Sequence, residues 1–519
     1  MKDIAAGVRS FTLGTAVSRV LGLGRELVFA ILFGASGSMD AFVAAFRIPN
    51  LLRDLFAENA LSAAFVPVLV QQKEKGRDAA NRFASNILNT LLLVVGLIVL
   101  IGIPLSSWLA RVIAPEFGNI PGKLALTGKL TAIMFPFLLF IALAAWAMSI
   151  LNTEGSFFIP SIAPAFWNVF SILVPLAMFA YFKSRGVDPI FGAAIGVTVG
   201  GLIQFAAQLP SVRRHGFRYV PTLSFRDPEF RKVMALFIPV AVGLSGSRIN
   251  VFVNTILVTS LPEGSLSWLN YAYRIMHLPL GLFGMAVMAV SLPSFSRLAA
   301  ENRPDDMRRA LDDSLKMVLL LTVPTSALIA ALARPITSVL YEHGSRFTAA
   351  DTAPTAVALA LYMLGVPFIS ALRNVAAVFY AHRDARTPLI ASFAGVGLNI
   401  VLNLALKGPL GLRAFPLSAS IAAVVNILIL YAWLPKKIGR FDRRPLASYS
   451  ARLLLASLAG GAAAWGAFRA LASAAESSFV VKLTGAAGCG LAGLLVFVIA
   501  SRLLGLTEVR AYAKRFLRF

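Results

Sequence analysis

The chain has 519 residues, of which 58% are hydrophobic and only 14% charged, and its mean hydropathy is +0.77. Soluble domains carry about 25% charged residues, so this chain has too little polar surface to cover a soluble core and needs lipid around it. The net charge of +24 does not point to nucleic acid, because cytoplasmic loops of membrane proteins accumulate Lys and Arg and no basic patch interleaved with aromatics stands outside the apolar stretches.

The first apolar segment carries Ser18, Arg19, Arg25 and Glu26. Its charges are foreign to the apolar run of a cleavable signal, and none is expected. Gly22, Gly24, Gly34 and Gly37 read as close-packing or turn positions. The second segment carries Asp40, Arg47, Asn50, Arg53, Asp54 and Glu58. At about 100° per residue, all of these except Arg53 share an arc of roughly 80°, a polar stripe on an apolar helix. Pro49 is predicted to interrupt that helix near its middle.

Further along, the stretches 87–109, 130–151, 317–332 and 357–372 approach or meet the length of roughly 20 apolar residues that crosses a bilayer. Counting on gives about fourteen such segments, too long and too uniformly apolar for barrel strands. The seventh adds Arg248 and Asn250, the eighth Arg274 and the tenth Arg373. Pro136, Pro239, Pro279, Pro324 and Pro367 read as ordinary membrane prolines, not hinges.

Cys489 has no partner for a disulfide within the chain, and His215, His277, His343 and His382 lack metal-ligand spacing. The pairs Asp305-Asp306 and Asp312-Asp313 read as solvated charges near a helix start. With no cluster of acids to hold a catalytic metal, no enzyme activity, metal or cofactor is expected.

Basic loops alternate with nearly uncharged turns. One side holds Lys73 to Arg82, Arg213 to Lys232, Arg297 to Arg309, Lys436 to Arg444 and Arg510 to Arg518. That bias predicts an even number of spans with both termini in the cytoplasm. The two longer basic loops divide the chain into an N-lobe at 1–212, a C-lobe at 213–437 and two C-terminal helices with a basic tail at 438–519. The lobes read as copies at an offset near 227. Ser18-Arg19 recurs as Ser247-Arg248, Ala45-Phe46-Arg47-Ile48 as Ala272-Tyr273-Arg274-Ile275, and Leu55-Phe56 as Leu282-Phe283. The predicted fold is an all-α polytopic membrane protein, with two pseudo-symmetric six-helix lobes around a central cavity that opens by rocking.

Arginines outnumber carboxylates within the spans. Each is costly in hydrocarbon, and a surplus of buried positive charge calls for an anion. The planar guanidinium suits phosphate. Ion pairs such as Arg25–Glu26, Arg53–Asp54 or Arg47–Asp54 are the purely structural alternative.

The run Ser18-Arg19-Val20-Leu21-Gly22, Arg25-Glu26, Phe33-Gly34-Ala35, Asp40-Ala41-Phe42, Pro49 to Arg53, Phe56-Ala57-Glu58 and Ala64 to Pro67 resembles the MurJ/MviN family. That family consists of bacterial lipid II flippases of the multidrug/oligosaccharidyl-lipid/polysaccharide exporter superfamily. Ile150 to Thr153, Pro160 to Asn168 and Ser267 to Arg274 extend the likeness. The resemblance implies alternating-access flipping of undecaprenyl-diphosphate disaccharide-pentapeptide from the cytoplasmic to the periplasmic leaflet of the inner membrane. It implies substrate binding by Arg19, Arg25, Arg53 and Arg274, with Ser18 and Asn50 beside them. Asp40, Glu26, Glu58 and Asp54 would gate or pair the arginines. Segments 453–471 and 486–504 would form a groove for the lipid tail, and cell-wall synthesis proteins would be partners. The chain departs from the family at Glu26, Tyr273 and His277. It has no acid between Leu236 and Leu257, so membrane potential or protons, not Na⁺, are expected to drive it. Rival readings are a flippase for another polyprenyl-diphosphate oligosaccharide and a cation-coupled drug exporter, whose cavity would be acid-rich.

Overall fold

A computed structural model describes residues 2–56, 60–440, 442–471, 479–506 and 509, with side chains left out at 2–12, 54–56, 60 and 240–248. The described residues form helices joined by turns and loops, with no strand among them. They form two compact units, Met1–Ser267 and Trp268–Phe519.

The first unit holds α1 (Lys2–Phe33), α2 (Gly37–Phe56), α3 (Ala60–Glu74), α4 (Arg77–Gly102), α5 (Ser106–Ile113), α6 (Lys123–Met134), α7 (Phe137–Thr153), α8 (Phe158–Ser184), α9 (Ile190–Ala206), α10 (Leu209–Arg214) and α11 (Pro228–Val258). The helix α12 (Ser265–Pro279) begins at the boundary. The second unit continues with α13 (Met285–Ala300), α14 (Pro304–Ala331), α15 (Ala333–Tyr341), α16 (Ala349–Met363), α17 (Val366–Ala381), α18 (Arg386–Leu410), α19 (Ala414–Trp433), α20 (Pro435–Ile438), α21 (Arg444–Leu471) and α22 (Phe479–Leu503).

Ten stretches among the described residues are long and apolar enough to cross a membrane. One of them, Arg386–Ile438, is 53 residues long and contains both α18 and α19. The helices α1, α2, α3 and α11 lie outside the ten; α1 and α2 carry the charges that set them apart. The chain is a multi-pass membrane protein.

Two series of helices repeat. Residue Gly37 opens α2 as Ser265 opens α12, Arg77 opens α4 as Pro304 opens α14, and Ser106 opens α5 as Ala333 opens α15. The spacing stays near 227 residues, as in the sequence motifs. The repeat boundary is a different quantity from the boundary of compactness. The helix α11, which opens the second repeat, packs on α2, α3, α4 and α5 and belongs to the first compact unit.

Proline placement departs from the sequence reading. Pro49 does not interrupt its helix, because α2 runs through it unbroken from Gly37 to Phe56. A missing N–H removes only one ladder bond. By contrast, Pro136 separates α6 from α7, Pro367 stands in the first turn of α17, and Pro279 ends α12 at a π-helical turn, 280–284. The first two coincide with breaks and the third with a π-helical turn in a continuous helical run, whereas Pro239 and Pro324 lie inside continuous helices. The predicted stretch 87–109 is likewise two helices, since α4 ends at Gly102 and α5 starts at Ser106, beyond Pro104.

In the second unit, Leu311, Leu315, Val318, Val375, Phe379 and Leu430 form a buried apolar cluster. Helices α21 and α22 pack closely on each other. A Cβ on Gly493 would meet the Gly460 carbonyl at 2.7 Å, the small-residue approach that membrane helices use in place of a hydrophobic driving force.

Candidate functional site

In the first unit, α1 lies along α8 and is fixed there by a side-chain amide. Asn168 Nδ2 donates to the Ser18 carbonyl at 3.1 Å and to the Pro164 carbonyl at 3.2 Å. A Cβ at Gly22 would make only ordinary contact with this amide, 3.6 Å from Asn168 Nδ2. So placed, Arg25 is buried with its Cζ 4.4 Å from the Trp167 ring centre and 5.9 Å from that of Phe29. Trp167 is anchored by its Nε1–H on the Val197 carbonyl at 3.2 Å, and its ring meets Phe46 and Phe137 at 6.3 and 5.7 Å. Arg25 therefore rests on an aromatic shelf, where cation–π attraction works best when water is excluded.

Arg25 is also neutralised. Its Nη2 lies 2.6 Å from Glu26 Oε1, and the two residues are 6% and 4% exposed. At Arg25 the ion pair named in the sequence as the structural alternative is present, for a physical reason. A lone guanidinium in a dry span is costly, and the adjoining carboxylate lowers that cost. Arg19 is different: it is exposed on an apolar helix, with no ion pair among the described residues.

On α2, Asp40 is buried, while Arg47, Asn50 and Arg53 are half-buried. The side chains of Asp54 and Glu58 lie outside the described residues, so the predicted stripe is seen over Asp40, Arg47 and Asn50. The Asp40 carboxylate accepts at Oδ2 from the Gly264 N–H (2.7 Å) and at Oδ1 from the Ser267 N–H (2.9 Å) and Oγ (2.7 Å). It thereby caps the start of α12, where N–H groups have no partner within the helix. Lys123 Nζ stands 3.4 Å from Asp40 Oδ2 and 4.3 Å from the Phe117 ring centre. Nearby, Ser38 Oγ donates to Asp188, whose Oδ1 accepts the Ile190 N–H at 3.0 Å and so caps α9.

In the second unit, Arg274 is exposed on α12. Its neighbour Tyr273 meets the His277 ring at 4.3 Å and the Tyr362 ring at 6.0 Å. Arg373, on α17, is half-buried with no ion pair among the described residues. The Arg248 side chain lies outside the described residues. A cavity of about 830 Å³ is walled by α14, α17, α19 and α21, including Val323, Phe368, Leu428, Leu454, Leu458 and Trp465. The helix α21 lines this cavity, and α22 packs on α21 through Gly493.

The structure therefore joins Ser18, Arg25 and Glu26 on α1, and sets Asp40 apart with α12. Sequence reading missed Trp167, Asn168, Lys123 and Ser267. For Trp167, Asn168 and Ser267, the only signal was their place in the stretches 160–168 and 267–274. Among the described residues no three His, Cys, Asp or Glu side chains gather to hold a metal ion.

Two repeats of membrane-crossing helices with arginines set among apolar spans define a polytopic transporter. A lipid II flippase MurJ structure in an inward closed conformation is similar with a TM-score of 0.78 at 28% identity, covering 96% of this chain and 99% of that one. The family model for lipid II flippase MurJ matches residues 29–484, and the chain belongs to that family. A probable lipid II flippase MurJ from Vibrio cholerae is 35% identical over 501 residues, covering 93% of this chain and 94% of that protein. A lipid II flippase MurJ from Burkholderia cenocepacia is 33% identical over 435 residues, 83% of each chain. A crystal structure of MATE in complex with MaL6 shares the fold alone, with a TM-score of 0.60 at 14% identity over 85% of this chain.

Proposed function

We propose that this protein flips lipid II from the cytoplasmic to the periplasmic leaflet of the bacterial inner membrane by alternating access. Family membership supports the substrate. The observation that supports the site is Arg19, which is exposed on an apolar helix and makes no ion pair among the described residues. Such cations attract a diphosphate and repel the cationic substrates of drug exporters. Arg19, Arg25, Arg53 and Arg274, with Ser18 and Asn50, bind the diphosphate. Glu26 orders Arg25, Asp40 closes the periplasmic side through α12, and Asp54 and Glu58 belong with it.

The proposed fourteen spans are the ten apolar stretches with Arg386–Ile438 counted twice, plus α1, α2 with α3, and α11. Both termini lie in the cytoplasm, and membrane potential or an ion gradient drives the cycle without a bound cofactor. The site performs no catalysis.

The test is depletion and complementation. Cells lacking the host flippase and carrying this chain are expected to grow and keep lipid II at its normal level. Lysis with lipid II accumulating on the cytoplasmic side, despite normal insertion of the chain, would overturn the proposal.

A further inference from the structure

Lys123 occupies a place that helix chemistry disfavours. It is the first residue of α6, where the exposed N–H groups favour negative charge, and it is only 6% exposed. Gly122, in the left-handed conformation at φ 76°, turns the chain into this position. The ammonium has one carboxylate within ion-pair distance, Asp40, 83 residues earlier. The matching turn of the second repeat uses ordinary chemistry: a capping box of Thr348 and Asp351 opens α16, and Asp351 also accepts the Trp268 Nε1–H at 3.0 Å.

We infer that Lys123 is the positioning residue for Asp40. Its ammonium offsets the cost of burying the carboxylate, so that Asp40 grips the first turn of α12. It also stays beside Asp40 when that turn lets go. Three of the four groups around Asp40 come from the start of α12, at Gly264 and Ser267. If α12 withdraws, those three donors leave together, and a buried carboxylate without a cation would be expensive. Lys123 sits on α6, which packs along α2, so it travels with Asp40. The other charged groups at this place are acids: Glu263, whose carboxylate lies against Gly37, and Asp188, held by Ser38. Neither can substitute for the lysine. The inference rests on the flippase reading for its transport consequence but not for its structural one.

The test uses the full chain with Cys489→Ala and Ser265→Cys, so that the one thiol reports on the start of α12. A membrane-impermeant maleimide is expected to label this thiol several-fold faster in Lys123→Met than in the Lys123 parent. Lys123→Arg is expected to behave like the parent. Lipid II flipping in vesicles by Lys123→Met is expected to fall about tenfold, as for a buried pair that loses one partner. It should also acquire a dependence on pH that Asp40→Asn/Lys123→Met lacks. Equal labelling of Lys123→Met and parent, or unchanged flipping without pH dependence, would overturn the inference. If Lys123→Met fails to fold, the conservative variant decides: labelling and flipping by Lys123→Arg within about threefold of the parent supports it, and loss of the Lys123→Arg grip contradicts it. Absence of lipid II flipping by the parent, with the labelling contrast intact, counts against the flippase reading alone.

Discussion

The first turns of the two repeats are built to the same plan and held by different chemistry. In the first repeat, α2 and α6 meet through the buried pair Asp40–Lys123, and the same carboxylate caps α12. In the second, α12 and α16 meet through a neutral indole donor, Trp268, and an Asp351 that also serves its own helix cap. Arg25 is buried, paired with Glu26 and stacked on Trp167, whereas Arg274 is exposed beside the Tyr273–His277 contact. A repeat with buried, paired charge is rigid only while both members of each pair are present. One held by caps and ring contacts tolerates the loss of any single group. At these two turns the copied scaffold is held by a buried ion pair in one copy and by an indole donor and a capping box in the other.

The largest expected effect that sharpens this contrast is at Arg25. Arg25→Ala leaves Glu26 buried without its cation and is expected to lose about 3–5 kcal/mol of stability. Arg25→Ala/Glu26→Ala should recover most of that stability while transport stays lost. Thermal unfolding in detergent, set beside complementation, separates the two losses. A double variant that regains transport would reduce the pair to a structural brace.

The corresponding change in the second repeat is Asp351→Ala, which removes a cap and is expected to cost only about 1 kcal/mol with transport intact. If it slows flipping as much as Lys123→Met does, the two turns are not chemically distinct and the contrast fails.

The smallest effect is at a loop of the second unit. Asp384 accepts from the Thr387 N–H at 3.0 Å and pairs with Lys437 at 2.9 Å, and these hold its carboxyl down at about 2, against an ordinary 3.8. A folded-state value below the unfolded one gives stability that is fully present above about pH 4 and disappears as pH falls through about 2. For a contact this near the surface, Asp384→Asn is expected to cost less than about 1 kcal/mol at pH 7 and nothing once the pH is well below that carboxyl's folded-state value of about 2. A cost that persists in acid would show that the side-chain amide fails for steric reasons instead.

Much of the architecture was legible because apolar length and repeat spacing are local properties. The offset near 227 between Ala45-Phe46-Arg47-Ile48 and Ala272-Tyr273-Arg274-Ile275 reappears as the offset between α4 and α14. Glu26 was legible as a partner of Arg25 because it adjoins it in the chain. Lys123 was not, because nothing in a first-turn lysine announces a carboxylate on a helix 83 residues away. The aromatic shelf was equally hidden, since a tryptophan in an apolar span reads the same whether it faces lipid or a guanidinium. Prolines misled in both directions. One missing N–H leaves α2 continuous at Pro49, yet the same chemistry coincides with a break at Pro136.

The most direct measurement is lipid II translocation in vesicles by the full chain and by Arg19→Ala, Arg25→Ala and Arg274→Ala variants that insert normally. A diphosphate held by these guanidinium groups predicts rapid translocation by the parent and severe loss in each variant. Normal translocation by all three would contradict it.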